Sequence, residues 1–144
     1  MTNEQMNKGG TMSKKWGRFE TPKDWARDVP YDIRERTFRF AVQVIRAVRG
    51  LPDDAATRVV AYQLVKAATS VGANVEEADG AESKRDFVHK MSIGRKETRE
   101  SRYWIRIVRA SIVDNNEWAA LQQESEELAR ILSAIINSAQ KETQ

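Results

Sequence analysis

The sequence predicts an all-α protein, an up-down-up-down four-helix bundle preceded by an N-terminal tail. In four successive segments, apolar residues recur at spacings of three and four, and capping or breaking residues bound each segment. The connections between segments are short, and no segment shows the alternation typical of a strand. Long amphipathic helices joined by short loops pack as antiparallel neighbours, which favours a bundle.

The chain of 144 residues is long enough for one domain and too short for two ordinary ones. Residues 1–31 show no sustained period and mix glycine, lysine and threonine with two prolines, so we predict a disordered or loosely docked tail. Residues 32–140 are predicted to form the bundle. There is no cysteine and no apolar run near the ~20 residues that span a bilayer, so we expect a cytoplasmic protein without membrane contact.

The first helix is predicted to begin near Asp32, a plausible N-cap after Pro30, and to end at Gly50 and Pro52. Its apolar face is predicted from one main row of residues, widened by a second. The main row is Phe38, Ala41, Val42, Ile45 and Val48, and the second is Phe40, Val44 and Leu51.

The second helix is predicted to begin after Asp53 or Asp54 and to stop at Asp79 and Gly80, with the glycine in a left-handed conformation. The third is predicted to begin at Ser83, where Ser83 and Asp86 resemble a capping box, and to run to about Val113. The predicted apolar stripe of the second helix consists of Val60, Leu64, Ala67, Val71 and Val75.

The fourth helix is predicted to follow the tripeptide 114–116, Asp-Asn-Asn, which stops the third helix and caps the fourth. Its apolar residues alternate strictly by three and four, as in the seam of a nearly antiparallel helix pair. They are Trp118, Leu121, Ser125, Leu128, Leu132 and Ile135.

Basic residues concentrate on the third helix, because residues 84–109 hold nine Lys and Arg against three acids. At about 100° per residue, six of them fall in one row, within about 40° of Arg95. We predict this row as the nucleic-acid-binding candidate, and its members are Lys84, Arg95, Arg99, Arg102, Arg106 and Arg109.

Like charges at this spacing destabilise a helix by ~0.2–0.5 kcal/mol per pair, so the row needs an offset. Glu117, Glu124 and Glu127 of the fourth helix, in the same or a neighbouring subunit, are one source. Phosphates, which arginine binds in a bidentate manner, are the other. Tyr103 beside the row is suited to stacking on a base, although aromatic residues at helical spacing more often belong to a core.

The third helix carries two apolar faces. The core face is predicted to contain Phe87, Gly94, Thr98, Ser101, Ile105, Val108 and Ile112. A second arc carries Ile93, Trp104 and Ile107, which we predict as interface residues of a homo-oligomer. The alternative is that the N-terminal tail covers this arc.

Polar residues on the second and third helices predict a structural network rather than catalysis. Gln63, Ser70 and Asn74 step along one face of the second helix, and Glu97 and Glu100 lie on the third. Hydrogen bonds between the two sets would fix the register of the two helices.

The acidic segment around Gly80 fails the spacing tests for a metal site. An EF-hand with Gly80 at its sixth position would place Val75 where a carboxylate is required. A di-iron bundle needs two histidines, and His89 is the single one. No phosphate-loop or nucleophile motif occurs. We therefore predict no catalytic site, no metal and no cofactor, and keep an enzyme as the third hypothesis.

The segments "QLVKAATSVGANVEEADG" and "SKRDFVHKMSIGRKETRESRYWI" resemble the bacterial four-helix-bundle family encoded in intervening sequences of 23S rRNA genes. The family pattern matches position by position at Gln63, Leu64, Lys66, Ala67, Ala68, Ser70, Val71, Asn74, Val75, Glu77, Ser83, Asp86, Phe87 and Glu100. Ala78 departs from the glycine that many members have there. The resemblance extends over roughly residues 32–139, nearly the whole predicted bundle.

This resemblance implies a four-helix bundle that assembles into a homopentamer, and it implies no activity. A more distant likeness is to the accessory protein of diversity-generating retroelements, which implies RNA or DNA and a nucleic-acid enzyme such as a reverse transcriptase as partners. Two functions follow as hypotheses: a nucleic-acid-binding accessory protein that uses the arginine row, or a protein-interaction scaffold with no nucleic-acid role.

Overall fold

The structure, a computed structural model, describes residues 32–141. It contains the helices α1 (Ile33–Val48), α2 (Ala55–Asp79), α3 (Lys84–Ser111) and α4 (Asn116–Lys141). Each helix packs on the next in the chain, α1 also contacts α4, and α3 lies diagonally opposite α1. The predicted all-α fold and up-down-up-down topology are confirmed. The predicted tail, residues 1–31, lies outside the described residues, and its boundary stays a prediction.

Side-chain caps begin three of the helices as the sequence predicts. The main-chain N–H of Thr57 donates to Asp54 Oδ1 at 2.8 Å, and that of Asp86 donates to Ser83 Oγ at 3.0 Å. Asn115 Oδ1 accepts from the N–H of Trp118 at 3.0 Å. These bonds satisfy donors that the first turn of a helix leaves without a partner. Asp32 occupies the N-cap of α1 without a side-chain cap bond.

Two helix ends differ from the prediction. Gly80 has φ −98°, so the left-handed conformation predicted for it is wrong. The N–H groups of Gly80 and Ala81 donate to the carbonyls three residues earlier, each at 3.1 Å, and this tightening keeps φ negative. Helix α3 ends at Ser111, two residues before the predicted Val113, where Ile112 leaves the helical conformation.

The core stripes of α2, α3 and α4 are close to their predictions. All six predicted α4 positions are buried, and so is the α2 stripe apart from Val60, which is partly buried. On α3 the stripe also includes Met91, which the sequence reading missed, whereas Ile112 is only partly buried.

The predicted core face of α1 is only partly right. Phe40 and Val44 of its second row are buried, whereas Phe38 of its main row is 60% exposed and the rest of that row is partly buried. The buried residues are Ile33, Thr37, Phe40, Val44 and Ala47. Thr37 tolerates full burial because its hydroxyl donates to the carbonyl of Ile33 at 2.9 Å.

Small residues bring neighbouring helices close together. A methyl group added at Gly94 of α3 would lie 3.6 Å from the carbonyl oxygen of Val71 in α2. At Gly72 of α2, the added carbon would lie 3.4 Å from Thr37 Oγ1 in α1. The predicted close approach at Gly94 is therefore present, with ordinary contact distances.

Two arginines tie α1 to its neighbours. Arg34 Nη1 lies 3.2 Å from Oδ2 of Asp79, whose side chain is fully buried at the end of α2. Arg36 forms a two-bond pair with Glu124 of α4. Neither pair involves a residue of α3.

Candidate nucleic-acid interface

The predicted arginine row lies on α3 with its members in different environments. Arg99, Arg102 and Arg106 are exposed, while Arg95 and Arg109 are partly buried. Lys84 is the first residue of α3, eleven positions before Arg95, and is therefore about 16 Å away along the axis. The structure thus groups five arginines and separates Lys84 from them.

The two partly buried arginines bridge from α3 toward α4. Arg95 Nη1 donates to Ser133 Oγ at 3.3 Å. Arg109 Nε donates to Asp114 Oδ1 at 2.8 Å, and its Nη1 donates to Gln122 Oε1 at 2.8 Å. Polar groups at both ends of the row therefore hold these two guanidinium groups in place.

Between these ends, Arg99 and Arg102 line a groove of about 580 Å³ between α3 and α4. In the described part of the chain, neither guanidinium has a hydrogen bond or an ion pair. Arg130 contributes a third guanidinium from α4, and Glu126 is the one carboxylate in the lining. The lining residues are Thr98, Arg99, Arg102, Ser125, Glu126, Ala129, Arg130, Ser133, Ala134 and Asn137.

Arg130 and Lys96 are basic residues that the sequence reading missed. Lys96 is exposed on α3, one turn before Arg99. Arg130 belongs to a polar row, 126–130–133–137, that runs beside the core stripe of α4 at helical spacing. This spacing could have predicted that Arg130 lies near α3, because polar residues beside a core stripe face the edge of the neighbouring helix.

Within residues 32–141, none of the three α4 acids named as an offset for the row pairs with one of its arginines. Glu124 pairs with Arg36 of α1, and Glu127 pairs with Arg130 of its own helix at 2.8 Å. The hydrogen bond from Arg130 lowers the pKa of Glu127. Glu117 is exposed. The spacing of these acids along α4 does not show whether they face α3 or α1, and this explains the wrong assignment.

The predicted polar network between α2 and α3 is replaced by bonds within each helix. Ser70 Oγ donates to the carbonyl of Lys66 at 2.8 Å, and Asn74 Nδ2 donates to that of Ser70 at 2.8 Å. Glu100 Oε2 accepts from Trp104 Nε1 at 3.1 Å. Among the described residues, no hydrogen bond joins Gln63, Ser70 or Asn74 to either glutamate. Serine and asparagine compete for main-chain groups nearby, which explains the difference.

The carboxyl pKa of Glu97 is raised above its usual 4.5. Burial is the main cause, and the charge of Glu100 adds to it. Lys96 and Lys66 act in the opposite direction. Glu97 lies away from the groove, so the shift bears on stability rather than on a reaction there.

The predicted interface residues are less exposed than the sequence implied. Ile93, Trp104 and Ile107 are all partly buried within the single chain, and Trp104 packs against the core. The large apolar residues that are most exposed are instead Phe38, Val59, Tyr62 and Tyr103. None of these was predicted as an interface residue.

The described residues offer no group of three or more His, Asp or Glu side chains that could hold a metal ion. His89 is exposed. Over the same part of the chain, no helix has both the length and the apolar character needed to cross a bilayer.

Fold and site together define a four-helix bundle with an arginine-lined groove between its last two helices. The sequence profile of the 23S rRNA-intervening sequence protein family matches residues 30–134, and the chain belongs to that family. The resemblance carried by the α2 and α3 motifs is confirmed.

A solved structure supports the same assignment. The chain is similar to a protein of unknown function from the S23 ribosomal protein family of Bacteroides thetaiotaomicron, with a TM-score of 0.67 and 28% sequence identity. The match covers 72% of this chain and 97% of that chain. No curated protein matches the sequence.

Proposed function

We propose that the protein is a non-enzymatic, homo-oligomeric accessory protein that binds nucleic acid through the groove between α3 and α4. One observation carries the proposal: Arg99 and Arg102 line this groove without an acidic partner among the described residues, while Glu124 and Glu127 of α4 pair with Arg36 and Arg130. A phosphate backbone supplies the negative charge that the groove lacks.

The composition of the groove favours phosphate over a carboxylate ligand from the same chain. Of the three guanidinium groups in the lining, only that of Arg130 has an acidic partner within residues 32–141, Glu127 at 2.8 Å, and the one carboxylate in the lining, Glu126, already accepts from Gln122 Nε2 at 3.1 Å. Arginine presents a planar fork that binds two phosphate oxygens at once. Because Arg99 and Arg102 repel each other at this spacing, bound phosphates would also stabilise α3.

The non-enzymatic part of the proposal rests on the hydroxyl groups of the groove. Thr98 Oγ1 donates to the carbonyl of Gly94 at 2.8 Å, and Ser125 Oγ donates to that of Gln122 at 2.7 Å. Ser133 Oγ, the third hydroxyl of the lining, accepts from Arg95 Nη1 at 3.3 Å, and among the described residues none of the three hydroxyls has a side-chain base that would activate it as a nucleophile. The groove is therefore suited to binding rather than to group transfer.

Neutralising the groove tests the proposal. Arg99→Gln with Arg102→Gln removes two positive charges while keeping good helix formers. The matched control is Arg46→Gln with Arg49→Gln, which removes the same charge from exposed positions at the end of α1. Fluorescence anisotropy with labelled RNA and DNA should show at least a tenfold loss of affinity for the first pair and little change for the second. Equal affinities in both pairs would refute the groove as the binding site.

A protein-interaction scaffold is the second candidate, favoured by exposed apolar residues on α2. Val59 and Tyr62 lie one turn apart and are 61% and 65% exposed, which is typical of a contact surface. The same surface supports the homo-oligomer, and a homopentamer is the assembly that the family resemblance implies. A nucleic-acid enzyme such as a reverse transcriptase is the heterologous partner we propose for it.

Light scattering of Tyr62→Ser tests this second surface. A fall in mass relative to the wild type, with the Tyr103→Ser variant unchanged, would support assembly through α2. A monomeric wild-type protein at micromolar concentration would refute the homo-oligomer.

A further inference from the structure

Tyr103 lies among the exposed arginines of α3. It is 52% exposed, so the expectation that an aromatic at helical spacing belongs to the core does not apply here. Arg99 precedes it by four positions and Arg106 follows by three, which places all three side chains on one face of the helix. An exposed aromatic ring is thus flanked on both sides by exposed guanidinium groups.

The ring of Tyr103 is held in place by its neighbour. Tyr103 and Trp104 form a T-shaped pair with ring centroids 5.1 Å apart and planes at 77°. Trp104 packs against the core, and its indole N–H donates to Glu100. A ring already oriented by such contacts loses little side-chain freedom when a ligand stacks on it.

Beside this ring lies an open hollow of about 370 Å³. That volume is near the lower end of the ~300–1,000 Å³ typical of small-ligand sites, and it suits a group the size of a nucleobase. Ile107 and Ala110 give the hollow an apolar part, and Arg106 lies at its edge. Its lining residues are Tyr103, Arg106, Ile107, Arg109, Ala110, Asp114 and Gln122.

The hollow also borders the groove described above. Arg109 donates to Gln122, and Gln122 in turn donates to Glu126 of the groove. These hydrogen-bonded side chains lie between the hollow and the groove, so the two are adjacent. A strand that follows Arg102 and Arg106 along α3 therefore passes both of them.

We infer that the nucleic acid bound by α3 is single-stranded, with its phosphates on Arg99, Arg102 and Arg106 and one unpaired base stacked on Tyr103. The inference rests on the proposed function and narrows its ligand. In a duplex the bases are already stacked on each other and their faces are closed to a side chain. Base–aromatic stacking is independent of sequence, because every base has a π face.

The test compares three labelled probes of equal length: an oligothymidine, a strand with the same sugar-phosphate backbone but abasic sites, and a duplex. The wild-type protein should bind oligothymidine about 5- to 150-fold more tightly than the abasic strand, as expected for one stacked base. Tyr103→Ala should abolish this preference and leave binding to the abasic strand unchanged. Tyr103→Phe should keep the preference, and Phe38→Ala, at an exposed aromatic residue of α1, should behave like the wild type.

The possible results separate this inference from the proposed function. Equal binding of oligothymidine and the abasic strand, both lost when Arg99 and Arg102 are neutralised, would overturn the stacking role and leave the nucleic-acid function standing. Failure of all three probes to bind would overturn both. A Tyr103→Ala variant whose oligomer dissociates and whose affinity falls equally for every probe would assign Tyr103 to a subunit contact and overturn the inference.

Discussion

Glu124 of α4 accepts two hydrogen bonds from Arg36 of α1, from Nε to Oε2 at 2.7 Å and from Nη2 to Oε1 at 3.0 Å. This bond and the charge of Glu124 raise the pKa of Arg36, although burial partly opposes the shift. The pair commits to α1 an acid of α4 that the sequence offered as a partner for the arginine row. Arg99 and Arg102 consequently keep their charge available.

Glu124→Gln should lower the free energy of unfolding without changing nucleic-acid affinity. Both side chains of the pair are partly exposed, 32% and 26%, so we expect a loss of about 0.5–1 kcal/mol after solvent screening. Urea unfolding measures the loss, and anisotropy checks the affinity. Glu127→Gln is the control on the same helix, with a smaller expected loss because its partner Arg130 lies only three residues away. A Glu124→Gln variant with unchanged stability and altered affinity would contradict the assigned role.

Gly94→Ala should stabilise the bundle. The added methyl group would lie at ordinary contact distances from Val71, Asn74 and Leu132, at 3.6–3.9 Å, so it fits the space. Alanine is favoured over glycine inside a helix, and we expect a gain of about 0.5–1 kcal/mol in thermal or urea unfolding. Gly72→Ala is the matched comparison and should gain less, because its methyl group would meet Thr37 Oγ1 at 3.4 Å. A destabilised Gly94→Ala protein would show that the α2–α3 interface cannot accept even one carbon.

Glu97→Gln should raise stability at neutral pH. Because burial raises the pKa of Glu97 above its usual 4.5, the folded protein holds this proton to higher pH than the unfolded chain does. The free energy of unfolding therefore falls as the pH rises from 4.5 through the raised value. Glutamine removes this loss, and we expect the melting temperature at neutral pH to rise by about 1–3 °C. Glu82→Gln, at an exposed position between α2 and α3, should leave the melting temperature unchanged, and an equal rise in both variants would contradict the explanation.

Asp54→Asn should flatten the acid dependence of stability. The hydrogen bonds from the N–H and then the hydroxyl of Thr57 lower the pKa of Asp54 below its usual 3.8. The stability it contributes is present above 3.8 and is lost as the pH falls through the lowered value. Asparagine still caps the helix but does not titrate. Unfolding measured across this acid range should show a shallower slope than for Asp53→Asn, which leaves the cap intact. Identical slopes would contradict the role of the ionised cap.

The spacing of apolar residues was sufficient to predict the buried face of α4 but not that of α1. In α4 the apolar residues form one stripe, so burial of Leu121, Leu128 and Leu132 followed from spacing alone. In α1 apolar residues cover more than half of the circumference, and the part of this wide face that is buried depends on where α2 and α4 lie. Phe38 was therefore placed in the core, while Thr37, whose hydroxyl is satisfied within its own helix, was overlooked.

The site was predictable only along one helix. The alignment of Arg99, Arg102 and Arg106 follows from residue spacing on α3. The groove itself requires the register of α4 against α3, which brings Arg130 and Ser133 opposite the row. The acid partners were misassigned for the same reason, since sequence spacing places Glu124 on a face of its helix without identifying the neighbour it meets.

The dependence of binding on salt tests the central claim most directly. Each phosphate contact to a single strand lowers the slope of log affinity against log salt concentration by about 0.7, so contacts from Arg99, Arg102 and Arg106 predict a slope of about −2 per protomer. Neutralising Arg99 and Arg102 should make that slope shallower by about 1.4. A slope near zero for the wild-type protein, or an unchanged slope after the two substitutions, would contradict nucleic-acid binding in the α3–α4 groove.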